Sequence, residues 1–195
     1  MSDAKDFIIN KAACLFISNS YEAVSISDIS NAIGFTKGAL YHHFKNKEEL
    51  FKAVIDKHLI IQKIEFDEEQ GSLIEFNNVC LLNARNSLQR LVSNAPRFEI
   101  INYMSLIADS FRHYPGFADK KIKFMNDETD KIKKILNKAI EKSEIRSDID
   151  TAYIAQIYFS MMLGLTGPII QNQSIDEAIQ KLEGQISQLY LLLKL

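Results

Sequence analysis

Only three prolines and seven glycines interrupt 195 residues, so long tracts can run as helix without a ring clash or a missing N–H. Apolar residues never continue for the ~18 positions a membrane-crossing helix needs. The opening segment MSDAKDFIINK is charged and amphipathic and lacks the apolar core and cleavage site of a secretory leader, which predicts a cytoplasmic protein with no membrane partner. Two cysteines, Cys14 and Cys80, have no metal-like spacing and read as small buried apolar residues. Also missing are a Gly-rich phosphate loop, an HExxH pair and a local Ser/His/Asp motif. No enzyme, cofactor or metal is therefore expected. Arginine is absent before Arg85, and residues 1–60 carry seven lysines against seven acids. Net charge is −2 and the pI about 6.1, whereas strongly nucleic-acid-binding domains often have a pI above ~9. Any affinity for a polyanion must come from the placement of charge.

What is present is helical patterning almost throughout, in a chain that is 47% hydrophobic and 25% charged, as globular proteins are. From Asp3 to about Ser18, Phe7, Ile8, Ala12, Leu15 and Phe16 recur at helical spacing, and Asn19 is expected to end that helix in the left-handed region. Asn46 reads as the cap of a fourth helix, with Glu48 and Glu49 in its first turn. That helix is expected to pass through Leu50, Val54, Leu59 and Ile60 to about Glu68, where Gly71 breaks it. Ser72 to Asn94 follows, ended before Pro96. Arg97 to His113 ends before Pro115-Gly116, and Phe117 to Ser143 is a long charged helix with Phe124, Met125, Ile132, Leu136 and Ile140 inward. The expected class is all-α, about nine helices, with no strand and no repeat.

The densest local signals lie between Ser25 and Phe51, SISDISNAIGFTKGALYHHFKNKEELF. Ser25 can accept from an orphan N–H at a helix start, and Asp28 three residues on completes a variant capping box. Ile26, Ile29 and Ile33 then share a face. Gly34 tolerates the positive φ that ends a helix and turns the chain sharply. Thr36 can cap a second helix in which Leu40 and Phe44 face the first, leaving Thr36, Lys37, Ala39, Tyr41, His42 and His43 outward. Gly38 has no side chain to hold its backbone away from a phosphate or base edge. Such a helix-turn-helix offers its second helix to a DNA major groove, although the same spacing occurs in helical hairpins that only pack.

In series, TKGALYHHFKNKEELF resembles the recognition helix and following linker of the TetR family of transcriptional repressors, and SISDISNAIGF resembles the helix before it. The resemblance runs from Phe7 to about Phe51. It implies an N-terminal three-helix DNA-binding domain over residues 1–46 and a larger helical ligand-binding and dimerisation domain over 47–195. The implied function is a ligand-responsive regulator that binds a palindromic operator in double-stranded DNA as a homodimer. Lys37 and Tyr41 would contact base edges or nearby phosphates, with Thr36 offering a hydroxyl and a methyl for thymine. His43 and Lys47 match the family's phosphate-contacting His and Lys. Ser25 or Ser27 would add a contact near a helix N-terminus, and His42 stands at a variable position suited to sequence preference. Without arginine here, the bidentate arginine–guanine contact is unavailable, so thymine methyls, adenine-rich shape and lysine contacts are expected to dominate the readout.

The second half carries two further expectations. Ile175, Ile179, Leu182, Ile186, Leu189 and Leu193 form a seam at alternating four and three spacing, and Ile154, Tyr158, Met161 and Leu165 make a similar stripe on the helix before it. Both seams can pack inside one chain; the resemblance implies a two-fold four-helix interface instead. Phe66, Phe76, Tyr103, Phe111, Phe124, Tyr158 and Met162 supply aromatic and flexible apolar surface, with Asn102 and Arg112 as polar orienters, on helices that in the family surround an effector pocket. There a small molecule would bias the long fourth helix and change the spacing of the paired recognition helices. The rival reading is a helical protein-interaction or small-molecule-binding bundle without DNA binding.

Overall fold

The computed structural model describes residues 2–59, 64–93, 100–164 and 174–195, excluding the side chains of 2, 3, 90–93, 100, 101 and 103. The helix end expected before Pro96 lies outside them. Among the described residues there are nine helices: α1 (Ser2–Ser18), α2 (Ile26–Ile33), α3 (Lys37–His43), α4 (Lys47–His58), α5 (Leu73–Ser93), α6 (Ile100–His113), α7 (Phe117–Glu141), α8 (Thr151–Leu163) and α9 (Ile175–Leu193). No strand occurs among the described residues; Ile145 and Lys194 form an isolated antiparallel bridge. The chain divides into two compact units, Met1–Ile61 with Arg90–Ala118, and Gln62–Gln89 with Asp119–Leu195.

In the first unit α1 buries Ile8, Ile9, Ala12, Ala13, Phe16 and Ile17. Adjacent pairs recurring every four residues make a broad stripe that α2, α3, α4 and α6 cover with Ile29, Leu40, Phe51, Val54 and Leu106. Phe7, expected inward, is 42% exposed, because it falls at the edge of this wider stripe; its ring centroid lies 6.2 Å from that of Phe35. Leu15 is only half-buried. Asn19 does not take the left-handed cap: Ser143 (φ 56°) is the one non-glycine residue with positive φ among those described. Asn19 instead donates from its N–H (2.9 Å) and its Nδ2 (3.2 Å) to Leu15 O, which satisfies an orphan carbonyl without a strained backbone.

The expectation of a fourth helix reaching Glu68 is overturned. α4 ends at His58, with the Leu59 N–H closing on Ile55 O. Residues 64–67 are not helical and 68–70 form a turn. Asp67 Oδ1 accepts from the N–H groups of Glu69 (3.0 Å) and Gln70 (3.0 Å), a local side-chain turn that competes with the helix ladder. Carbonyls of this segment are taken up by lysines of the second unit: Lys131 donates to Ile64 O, and Lys142 to Gln70 O (2.9 Å) and Gly71 O (3.1 Å). A Cβ at Gly71 would run into the Phe66 ring and stand 2.9 Å from Asp67 O, so this glycine serves a close approach. A mechanism that works through one long fourth helix has no such helix to act on.

The second unit centres on Leu73, Phe76 and Cys80 of α5, Ile132, Ile135 and Leu136 of α7, Tyr158 and Phe159 of α8, and Leu182, Ile186 and Leu193 of α9. Serine and aspartate fix its helix starts. Ser72 and Glu75 exchange hydrogen bonds as a capping box, Asp150 accepts from Ala152 and Tyr153 N–H, and Ser174 accepts from Glu177 N–H.

Burial holds the His58 imidazole below its ordinary range, with Lys57 adding to the effect, and its Nε2 is buried without a hydrogen-bond partner. A histidine whose folded pKa is depressed adds stability that is full above the unfolded value, near ~6.5, and is lost as pH falls toward the folded value, because the unfolded chain takes up the proton first. Denaturant unfolding is expected to show that loss below about pH 6.5. His58→Leu should flatten this part of the profile.

Candidate nucleic-acid interface

The turn between α2 and α3 is built from local hydrogen bonds. Ser25 accepts from Asp28 N–H (3.1 Å) while Asp28 Oδ2 accepts from Ser25 N–H (2.8 Å). The Ser25 hydroxyl, which donates to Asp28 Oδ2 at 2.6 Å, and then the Ser25 N–H hold the Asp28 carboxyl below its usual range. At the other end Gly34 adopts φ 71°, with its N–H on Asn31 O and Ser30 O, and Phe35 N–H reaches back to Ser30 O (3.2 Å). This is a Schellman-type stop that only a residue free of Cβ makes without strain. Buried Ser30 completes it by donating its hydroxyl to Phe35 O (2.5 Å). Thr36 then caps α3 by accepting from Ala39 N–H (3.2 Å).

Anchored by Leu40 (0% exposed) and Phe44 (2%), α3 turns its opposite face to solvent. Thr36, Lys37, Gly38, Tyr41 and His42 are exposed there, and His43 is half-buried. The His42 and His43 rings meet edge to face at 5.5 Å. Nearest to a Cβ built on Gly38 is Thr36 Oγ1 at 3.8 Å, so nothing inside the chain requires glycine. A helical glycine costs about 1 kcal/mol relative to alanine; that cost fits a backbone kept open for an outside contact. Ser25 is exposed and Ser27 half-buried at the start of α2. Lys47, half-buried, opens α4.

Residues 8–54 match the model of the bacterial regulatory proteins of the tetR family. Over 54 residues the chain is 48% identical to the transposon Tn10 TetC protein of Escherichia coli, a stretch covering 28% of this chain and 27% of TetC. The match therefore spans little more than a quarter of that relative's length. The HTH-type transcriptional repressor AcnR of Corynebacterium glutamicum aligns over 188 residues at 20% identity, covering 95% of this chain and 93% of AcnR. The solved SmeT–triclosan complex shares the fold with a TM-score of 0.64 at 17% identity, over 96% of this chain and 90% of SmeT. Residues 8–54 form a TetR-family DNA-binding segment.

Beyond that segment, the residues expected to line a pocket do not form one group. Phe66, Phe76, Phe124, Tyr158 and Met162 join a single apolar cluster of the second unit, with Phe66 and Phe76 edge to face at 5.4 Å and Tyr158 6.3 Å from Phe76. Burial pushes the Tyr158 phenol well up, and Asn77 pulls the other way. The Tyr158 hydroxyl and Asn77 Oδ1 are nonetheless buried without a well-formed hydrogen bond. Asn102, Phe111 and Arg112 belong to the first unit. Phe111 is 54% exposed and stacks edge-on with Phe117 at 5.0 Å; Arg112 pairs with Asp109 at 3.7 Å. The Tyr103 side chain lies outside the described residues.

The apolar seams are spent largely within the chain. Tyr158, Ile179, Leu182, Ile186 and Leu193 are 0–5% exposed in the monomer's own core, because the α9 seam faces α8 and α7 of the same unit. Their side chains are not available to a partner. Ile154, Met161, Ile175 and Leu189 are half-buried, and Leu165 lies outside the described residues. What faces solvent is the other side of α8, with Tyr153 67%, Ile157 45% and Leu163 39% exposed. Tyr153, Ile157, Ser160, Met161 and Gly164 line a groove there with Lys181 and Gln185 of α9. An i, i+4 reading of Tyr153 and Ile157 would have found this stripe; the leucine-rich seam beside it masked the signal.

Proposed function

We propose that this protein is a ligand-responsive transcriptional regulator, a repressor that binds a palindromic operator in double-stranded DNA as a homodimer in the cytoplasm. The observation that carries this reading is the exposed α3 face, Lys37, Gly38, Tyr41 and His42, on a capped turn whose sequence matches the tetR-family model. The DNA-binding domain is residues 1–46, with Lys47 directly after it adding a contact, and effector binding and dimerisation belong to 47–195. Lys37, Tyr41 and Thr36 read base edges, His42 tunes preference, and His43, Lys47, Ser25 and Ser27 hold phosphates. Because residues 1–60 are charge-neutral, one protomer contributes few phosphate contacts, and the second copy doubles them. AcnR, a transcriptional repressor by name, and the fold shared with SmeT support this assignment.

Two protomers meet through the solvent-facing side of α8 and its groove with α9, where Tyr153 and Ile157 supply apolar area and Gly164 a close approach. Gly184, on α9, has open space where a Cβ would stand. A two-fold axis there sets two α3 helices one DNA turn apart, ~34 Å or a small multiple. A small, largely apolar effector, of the kind that SmeT holds as triclosan, enters the aromatic cluster of the second unit, around Phe66, Phe76, Phe124, Tyr158 and Met162. It releases the operator by a coupling free energy that acts equally in both directions.

Ile157→Glu tests the assembly on which this depends. Being 45% exposed, Ile157 can change without cost to the chain's own core. The variant is expected to sediment as a folded monomer and to bind DNA at least about a hundredfold more weakly, since halving the phosphate contacts removes half the electrostatic contribution. A dimer of wild-type stability would place the interface elsewhere.

A further inference from the structure

Tyr21, in the loop between α1 and α2, stands where two later helices meet the first unit's N-terminal core. Its backbone N–H donates to Asp109 Oδ2 of α6 at 2.8 Å, and that carboxylate is itself 5% exposed. Its ring stacks on the His113 imidazole at the end of α6, with centroids 4.2 Å apart and planes 20° from parallel. The imidazole Nε2 is held in turn by Glu22 at 3.4 Å. On the side of α4, the Lys47 ammonium lies 4.0 Å from the Tyr21 ring centroid and donates to Tyr21 O at 3.0 Å. Tyr21 is thus gripped by α6 and itself grips Lys47.

Lys47 is at the first position of α4, the positive end of a helix, where a cation is disfavoured by the aligned peptide dipoles. Helix stability does not account for it. A lysine ammonium has three N–H donors, and Tyr21 O takes one, so two remain for an outside acceptor. The ring and the carbonyl together hold a side chain that would otherwise sample many rotamers, and that ordering no longer has to occur when DNA arrives.

We propose that Tyr21 is a positioning residue for DNA contact by Lys47, and that Asp109 and His113 of α6 hold Tyr21 in the place where it does so. This inference rests on the regulator reading above and extends it to two residues of α6, Asp109 and His113, that lie 66 and 70 positions beyond the end of the recognition helix. Stacking on His113 fixes the ring plane over which Lys47 sits; the Asp109 bond fixes the carbonyl that Lys47 meets.

The test is a double-mutant cycle on duplex DNA selected from a random pool by the wild-type protein. Wild type, His113→Ala, Lys47→Met and the double variant are titrated over a salt series, with thermal melts alongside. Lys47→Met is expected to lower the slope of log K against log salt by about two per dimer, one phosphate per protomer. His113→Ala should weaken binding about threefold to tenfold when Lys47 is present, the scale of a partly desolvated cation–ring contact, and less than about twofold when it is methionine. His113→Phe, which keeps a stacked ring, should restore wild-type affinity. Equal losses from His113→Ala in both backgrounds, or no loss in either, would overturn the inference while leaving the regulator reading intact. Recovery of no sequence by the wild-type protein would remove both.

Discussion

Replacing Lys37 and Tyr41 together by alanine is expected to weaken operator binding by on the order of a thousandfold, with folding unchanged. The size follows from counting. Each base-edge contact discriminates by about 1–3 kcal/mol, a dimer makes each contact twice, and four contacts at the low end reach ~4 kcal/mol, where about 1.4 kcal/mol is tenfold. Stability should hold because Lys37 is exposed and Tyr41 is 50% exposed, and surface substitutions away from caps stay within about 0.5 kcal/mol. Fluorescence anisotropy on the selected duplex measures the first quantity and a urea melt the second. A loss smaller than about threefold would mean that these side chains do not meet DNA.

Phe51→Ala is expected to have the largest effect on stability. Phe51 is fully buried, edge-on to Phe16 at 5.1 Å and to Tyr21 at 4.7 Å, so truncation leaves a void bordered by two further rings. Such substitutions cost about 3–5 kcal/mol, against a total of about 5–15 kcal/mol for a domain. Chemical denaturation should show a first unit near the edge of folding at 37 °C, and DNA binding should fall with the folded fraction. Phe7→Ala is the control, since Phe7 is 42% exposed. A cost below about 1 kcal/mol for Phe51→Ala would contradict the packing described.

The parts of this molecule that were legible in its sequence are those decided within a few residues. The Ser25–Asp28 box, the left-handed Gly34, the Thr36 and Asn46 caps and the buried Leu40 and Phe44 each follow from one turn of chain, and local hydrogen bonding settles them wherever the rest of the protein goes. The length of α4 was not legible, because apolar spacing through Ile60 and Ile64 suits a helix equally well, while Asp67, Lys131 of α7 and Lys142 just beyond it supply the competing bonds. Nor could the seam on α9 say whether its leucines meet a second chain or α8 of their own. Periodicity fixes which face is apolar and says nothing of its partner. The grip of Asp109 on Tyr21 spans 88 residues, beyond any pattern read along the chain.

Selection of bound sequences from random duplex DNA by the purified protein separates a DNA-binding regulator from a helical bundle that only packs. An inverted repeat is expected to be enriched, with half-sites one helical turn or a small multiple apart, ~10 base pairs per turn, rich in A·T pairs because no arginine precedes Arg85, and lost as salt is raised. Recovery of no sequence above background at low salt, from protein shown by circular dichroism to be folded, would contradict the regulator reading.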